Sequence, residues 1–156
     1  LYWLAGTLGY EKGGTLLAAA LFQAVAIGVM WAYSGRLNLL MLGDDDAASL
    51  GVPVARTRGV LLLAASASVA GAVALSGLVG FVGLMVPQIL RLWQGPDQRL
   101  LIPLSALGGG AFLVLSDLLS RLLFSAFHAE PPVGVVTALL GGPFFLVLLR
   151  RREEYR

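Results

Sequence analysis

Cysteine is absent from the 156-residue chain and histidine occurs once. No disulfide or thiolate metal site is therefore open to it. His128 has only Glu130 near it in sequence, too small a ligand set for a metal centre. Charge is scarce too: 13% of residues are charged, against about a quarter in a soluble domain. That is too little to cover a water-facing surface. Paired acid/base carboxylates, a Walker lysine, HExxH and GxSxG are all missing, which argues against an enzyme. No soluble domain, linker, low-complexity segment or internal repeat is visible. The net charge of +2 and pI near 9.4 do not signal nucleic-acid binding. The basic residues sit at the ends of apolar runs, which is membrane topology rather than a basic stripe.

What the chain does have is apolar length. It is 58% hydrophobic, with a mean hydropathy of +0.84. No charge interrupts Gly13 to Gly35, Gly59 to Leu90, Leu100 to Ser116 or Pro131 to Leu149. Runs of ~18 or more residues suit a helix that crosses the hydrocarbon layer. They are continuous rather than alternating, which disfavours a β-barrel. The expected fold is all-α: a polytopic transmembrane helical bundle. Spans fall at about 13–33, 59–76, 82–93, 100–124 and 133–149. Tyr2, Trp3 and Tyr10 mark one interface, and Trp31 and Tyr33 the other. The chain opens Leu1-Tyr2-Trp3, with no charged leader. It reads as entering midway through something larger, not as a signal peptide.

The run from 59 to 90 is long for one span and short for two. Arg56 and Arg58 flank one end, Arg91 and Arg99 the other. The positive-inside rule wants all four on the cytoplasmic side, which calls for a hairpin. A single tilted span is the alternative. The turn would lie in 76–83, and the return arm must be short and is interrupted by Pro87. Such an arm has to be buried in protein, because lipid cannot satisfy its freed backbone groups. On this map every Lys and Arg except Lys12 and Arg121 is cytoplasmic, as is the tail from Arg150 to Arg156.

Several polar features invite a role. Ser34 to Arg58 is the most polar internal stretch. Within it, Leu42 to Gly51 reads as a short helix between glycines. Asp44, Asp45 and Asp46 suit its positive N-terminal end, and Gly51 and Pro53 stop it. Adjacent helical side chains diverge, so the three aspartates are a poor metal site. A helix of this size between spans suits docking to a soluble partner. Asp117 and Arg121 share a helix face. They are either a local ion pair or an arginine presented outward to an acidic partner. His128, Glu130, Pro131 and Pro132 form a solvated loop or a turn guarding a path. Gly71, Gly77, Gly108, Gly109, Gly110, Gly141 and Gly142 favour close helix packing.

Five strings in order carry a resemblance. They are Leu42-Gly43-x-x-x-Ala47-x-x-Leu50-Gly51; Gly80-Phe81-Val82-Gly83-Leu84-Met85-Val86-Pro87 followed by Ile89-Leu90-Arg91; and Gly95, Asp97 and Arg99. Then come Asp117-x-x-x-Arg121, and Glu130-Pro131-Pro132-Val133-Gly134 with Thr137-Ala138-x-x-Gly141-Gly142-Pro143-Phe144-Phe145. Together they resemble the FecCD permeases, membrane subunits of ATP-driven importers for iron-siderophores, haem and cobalamin. Family members are about twice as long and have ten spans, so the chain resembles the C-terminal half. Gln88 and Gln98 stand where the family has histidines.

The resemblance implies a multi-pass protein of the bacterial cytoplasmic (inner) membrane with a cytoplasmic C-terminus. Its partners would be a second permease copy (homodimer or heterodimer), two cytoplasmic ATPase subunits, a periplasmic or lipoprotein substrate-binding protein and the lipid bilayer. No cofactor or metal would be bound by this chain; ATP-Mg would sit in the ATPase. Leu42, Gly43, Asp44, Ala47, Leu50 and Gly51 would form the ATPase-coupling loop. Arg121 would dock the binding protein. Glu130, Pro132, Val133, Gly134 and Thr137 would line the translocation path at its outer gate. Gly80, Gly83, Pro87, Arg91, Asp97, Arg99, Asp117 and Pro143 would be structural. An ATPase-independent secondary transporter, or an inert truncated fragment, is the alternative.

Overall fold

The computed structural model describes residues 13–77, 79–127, 134, 135, 137–139 and 141–143. All secondary structure among them is helical. The long helices are α1 (Gly13–Ala32), α4 (Val54–Ser76) and α6 (Gln98–Phe127). Between them lie α2 (Ser34–Leu40), α3 (Asp44–Ser49) and α5 (Val82–Gln94). The last described residues, 134–143 with gaps, are helical as well. Glu130, Pro132, Val133 and most of the expected last span lie outside the described residues.

Three helices are long and apolar enough to cross a membrane: Gly13–Ala32, Val54–Ser76 and Gln98–Leu122. Their apolar faces are turned outward, and no more than 11% of any of the three apolar stretches is buried. Leu17, Val25, Leu63, Val69, Leu107 and Val114 are all exposed, while buried positions include Ala26, Ser34, Ala47, Ser116 and Ser120. A water-soluble fold inverts this pattern. Large side chains outside and small or hydroxylic ones inside suit helices solvated by lipid, where close backbone approach does the packing.

Packing places α1 between α4 and α6, with α5 on the far side of α6. At the α1–α4 seam, Gln23 Nε2 donates to Ser68 Oγ at 2.6 Å. The Phe22 ring lies so close to Gly71 that an added Cβ would stand 2.9 Å from it. The α5–α6 seam uses Gly108 in the same way, with Val86 Cγ1 3.0 Å from a Cβ there.

The two arms of the expected hairpin take different neighbours. α4 and α5 follow each other in sequence but do not pack together; α5 rests on α6. Its 13 residues reach about 20 Å at 1.5 Å per residue, well short of a ~30 Å hydrocarbon layer. Two positive-φ residues make the turn before it: Gly77 (φ 70) and Phe81 (φ 67). Phe81 adopts a left-handed backbone that disfavours bulky side chains. Its ring compensates by filling the space over Gly141, where no Cβ would fit. The polar stretch 34–58 is also more helical than expected: α2 and the first turn of α4 lie within it.

Proline shapes α6. Pro103 stands inside the helix and has no N–H, so the Arg99 carbonyl four residues back loses its helical donor. Trp31 of α1 replaces it: indole Nε1 donates to Arg99 O at 3.0 Å. Trp31→Phe should therefore lower stability by about 1 kcal/mol, the net value of such a bond. Pro103→Ala should restore the helical donor and remove most of that loss. Thermal unfolding of the two single variants and the double variant measures the coupling. Additive losses would show that the indole is not substituting for the missing N–H.

Candidate functional site

The residues of 42–51 owe their types to the backbone. Gly43 (φ 128) and Gly51 (φ 82) bracket α3 in conformations that L side chains rarely adopt. The C-terminal end closes by two hydrogen bonds: Val52 N–H to Ala47 O at 3.0 Å and Gly51 N–H to Ala48 O at 2.9 Å. That is a Schellman cap with glycine at its left-handed position. Its apolar pair is Val52 against Ala47, both buried, and Ala47 is fully so. Leu42 and Leu50 point outward at 63% and 59% exposure. The acidic first turn faces the helix dipole. Asp44 is also gripped by both Nη atoms of Arg58 on α4, at 2.7 and 3.0 Å. Both side chains are about half exposed, so this pair orients α3 more than it stabilises the fold. α3 is thus a rigid peg with an apolar rim and an acidic side.

A second cluster fixes the peg to the long helices. Asp97 caps α6: its Oδ1 accepts from the Arg99 backbone N–H at 3.0 Å. The same oxygen accepts from Asn38 Nδ2 at 2.7 Å. Asn38 Oδ1 in turn accepts from the Gln98 N–H at 2.9 Å. One asparagine on α2 therefore satisfies both the cap and an orphan N–H of α6. The Arg99 N–H and then Asn38 hold the Asp97 carboxyl below the usual carboxylate range; burial opposes them, and the Arg99 charge adds the least. Met41, just past α2, accepts weak bonds at Sδ from Gln98 Nε2 (3.4 Å) and Arg91 Nη2 (3.7 Å). Gly35 gives the Arg99 side chain room, since an added Cβ would lie 3.1 Å from Nη2.

Toward the opposite end of α6, Arg121 Nε donates to Asp117 Oδ2 at 2.8 Å. The arginine side chain is 63% exposed and the aspartate 24%. Thr137 is buried and donates to Gly134 O at 3.0 Å, a local bond within its own helix. Pro87 lies inside α5. Gly80 and Gly83 have open space around them, and Pro143 is exposed.

The structure thus gathers Arg91, Asp97 and Arg99 beside α2 and Met41, just ahead of the peg, and leaves Asp117 and Arg121 apart from them. Sequence reasoning did not single out Asn38, Met41 or Arg58 for these contacts. It noted Gln98 only for replacing a histidine. A cap signal was available in Asp97 directly before Gln98-Arg99-Leu100, but its partner on α2 had no local mark.

Exposed apolar helices joined by polar clusters at their ends define a polytopic α-helical membrane protein. Its sequence matches the FecCD transport family over residues 1–151, and the chain belongs to that family. It is 50% identical over 153 residues to the cobalamin import system permease protein of Halobacterium salinarum, covering 98% of this chain and 40% of that protein. It is 44% identical over 156 residues to the hemin transport system permease protein of Yersinia pestis, covering 99% and 46%. The Fe(3+) dicitrate transport system permease of Escherichia coli is 38% identical over 151 residues, covering 97% and 45%. One solved structure, assigned to a metal-chelate type ABC transporter in an inward-facing conformation, superposes with a TM-score of 0.86 at 33% identity. It covers 96% of this chain and 48% of that one. The chain therefore spans less than half the length of these relatives.

Because the native Asp97 carboxyl is depressed, its contribution is complete above the ordinary carboxylate range and lost as pH falls through the lowered native value. Asn38→Ala removes one of the bonds that lower it. Loss of hydrogen-exchange protection in the first turn of α6 should then begin at a higher pH than in the parent chain. An unchanged acid profile would show that Asn38 does not hold the cap.

Proposed function

We propose that the chain is the C-terminal half of a permease subunit of an ATP-driven importer. It would help move an iron-siderophore, haem or cobalamin-like chelate from a binding protein across the cytoplasmic membrane. The observation that carries this reading is the peg at 42–51. It is a short, doubly capped helix with exposed Leu42 and Leu50, set between two helices long enough to span a membrane. Membrane-embedded helices have no need of such an element for themselves. Its shape and its tie to α4 and α6 suit a contact that receives force from a soluble subunit. The relatives named as permeases for cobalamin, hemin and ferric dicitrate support the same class.

The remaining roles follow from that assignment. Two ATPase subunits would bear on the pegs of two permease copies, and ATP-Mg would be held and hydrolysed there. Arg36, Arg56, Arg58, Arg91 and Arg99 all lie at or near the peg end of the helices, which supports a cytoplasmic placement by the positive-inside rule. The C-terminus would then be cytoplasmic. Arg121, carried toward the far end of α6, would face the substrate-binding protein. Glu130 to Thr137 would lie beside the path on that same side.

In the complete permease with its ATPase, Leu50→Asp should abolish stimulation of ATP hydrolysis by the loaded binding protein, with the permease still present in the membrane. Arg121→Glu should weaken binding-protein docking by about tenfold, as loss of a steering charge does. Asp117→Asn serves as the control for breaking the ion pair alone. Docking that survives the reversal would remove the role given to Arg121. Uptake that persists without any ATPase would point instead to a secondary transporter.

A further inference from the structure

The junction of α1, α2 and α6 carries two arginines whose charge no carboxylate meets at ion-pair distance among the described residues. Arg36 lies over the Tyr33 ring, 4.9 Å from its centre. Arg99 lies against Gly35, the neighbour of Arg36. Asp97 lies near it and their charges interact, but the Asp97 Oδ1 accepts from the Arg99 backbone N–H and Asn38 rather than from the guanidinium. Trp31, in the last turn of α1, is 57% exposed and held by the Arg99 carbonyl. Leu100 and Leu107, seven residues apart on one face of α6, are exposed and continue the apolar surface into the span.

This is a headgroup-deep cluster. α1 ends at Ala32 and α6 begins at Gln98, so both arginines stand where a spanning helix leaves the hydrocarbon. Exposed Trp and Tyr favour that same depth. We propose that this seam binds the phosphate of an anionic phospholipid, with its acyl chains along Trp31, Leu100 and Leu107. Guanidinium forks suit phosphate oxygens. Two arginines at one junction favour a headgroup with net negative charge over a zwitterionic one, whose own cation they would repel. The apolar part of the site lies within the span, which suits a lipid better than a soluble protein. The inference rests on α1 and α6 crossing a membrane and not on the importer assignment.

The test uses the complete permease purified in detergent and exchanged into mixed phosphatidylcholine and phosphatidylglycerol, with retained lipid read by native mass spectrometry. The parent protein should retain phosphatidylglycerol in preference. Arg36→Gln and Arg99→Gln should each reduce that preference by about fivefold, the equivalent of the ~1 kcal/mol a basic side chain gains at an anionic surface. Arg56→Gln, an exposed arginine on α4, should leave it unchanged. Equal loss in the Arg56 variant would reduce the effect to bulk charge and overturn the site. So would undiminished preference in the Arg36 variant, which remains decisive should Arg99→Gln fail to fold. Loss of ATPase co-purification with lipid retention intact would make the seam a protein interface, again overturning the inference while leaving the importer reading in place.

Discussion

One missing N–H organises this end of the molecule. Pro103 leaves the Arg99 carbonyl without a helical donor, and the Trp31 indole supplies one from α1. The carbonyl stands where α6 leaves the hydrocarbon, and the indole meets it with a donor carried by the neighbouring helix. The bond fixes the end of α1 against the start of α6. α2 then has to leave α1 in a direction that brings Asn38 to the Asp97 cap and Gly35 under the Arg99 side chain. α2 in turn delivers the chain to Gly43, where α3 starts. The position of the exposed peg is thus inherited, step by step, from a proline sixty residues further along the chain.

Elsewhere the bundle is held by closeness rather than by withdrawal of apolar surface from water. Val52, Val86 and Leu101 are buried, but many Leu and Val side chains stay outside because lipid is as good a solvent for them as the protein interior. What distinguishes the interior is small size. Gly71 admits Phe22, Gly108 admits Val86, and Gly141 admits Phe81. The last of these also explains how a phenylalanine tolerates a left-handed backbone: ring packing offsets a torsional cost on the order of 1–2 kcal/mol. The hydroxyls of Ser105 and Ser116 on α6 are buried with no hydrogen-bond partner among the described residues. Their value at these positions is their small volume, as it is for the glycines.

Much of this was legible from punctuation in the sequence. Gly43, Gly51 and Pro53 delimit α3 because a helix that short must be started and stopped by residues with special backbone freedom. Asp117 and Arg121 were legible because i and i+4 meet on any helix. Pro87 flagged a short helix. The packing partner of α5 was not legible, because long apolar stretches give no strong preference for one neighbour over another. α5 follows α4 yet sits on α6, where Val82, Val86 and Leu90 meet Gly108 and Gly109. Trp31 was readable as an interfacial aromatic, but its bond needs a carbonyl 68 positions away. Asn38 carried no signal at all, since its two partners lie on another helix.

Under the proposed reading, the connections of α3 determine where a push on it can go. The helix is six residues long, capped at both ends by glycines and closed over a fully buried Ala47. It has little slack to absorb a displacement. Arg58 ties it to α4, and through the short α2 it is tied to α6. α4 and α6 do not pack on each other; α1 lies between them. A displacement of the peg therefore enters the bundle along two separate routes, one on each side of α1. The Arg58 route is half exposed and weak. The α2 route carries the Asn38, Asp97 and Gln98 bonds and the Trp31 bond behind them, so it is the stiffer of the two. Among the described helices α5 packs on α6 and would be carried by it. Motion delivered to α3 should on this account appear first as movement of α5 and α6 against α1 and α4, across the α1–α6 seam.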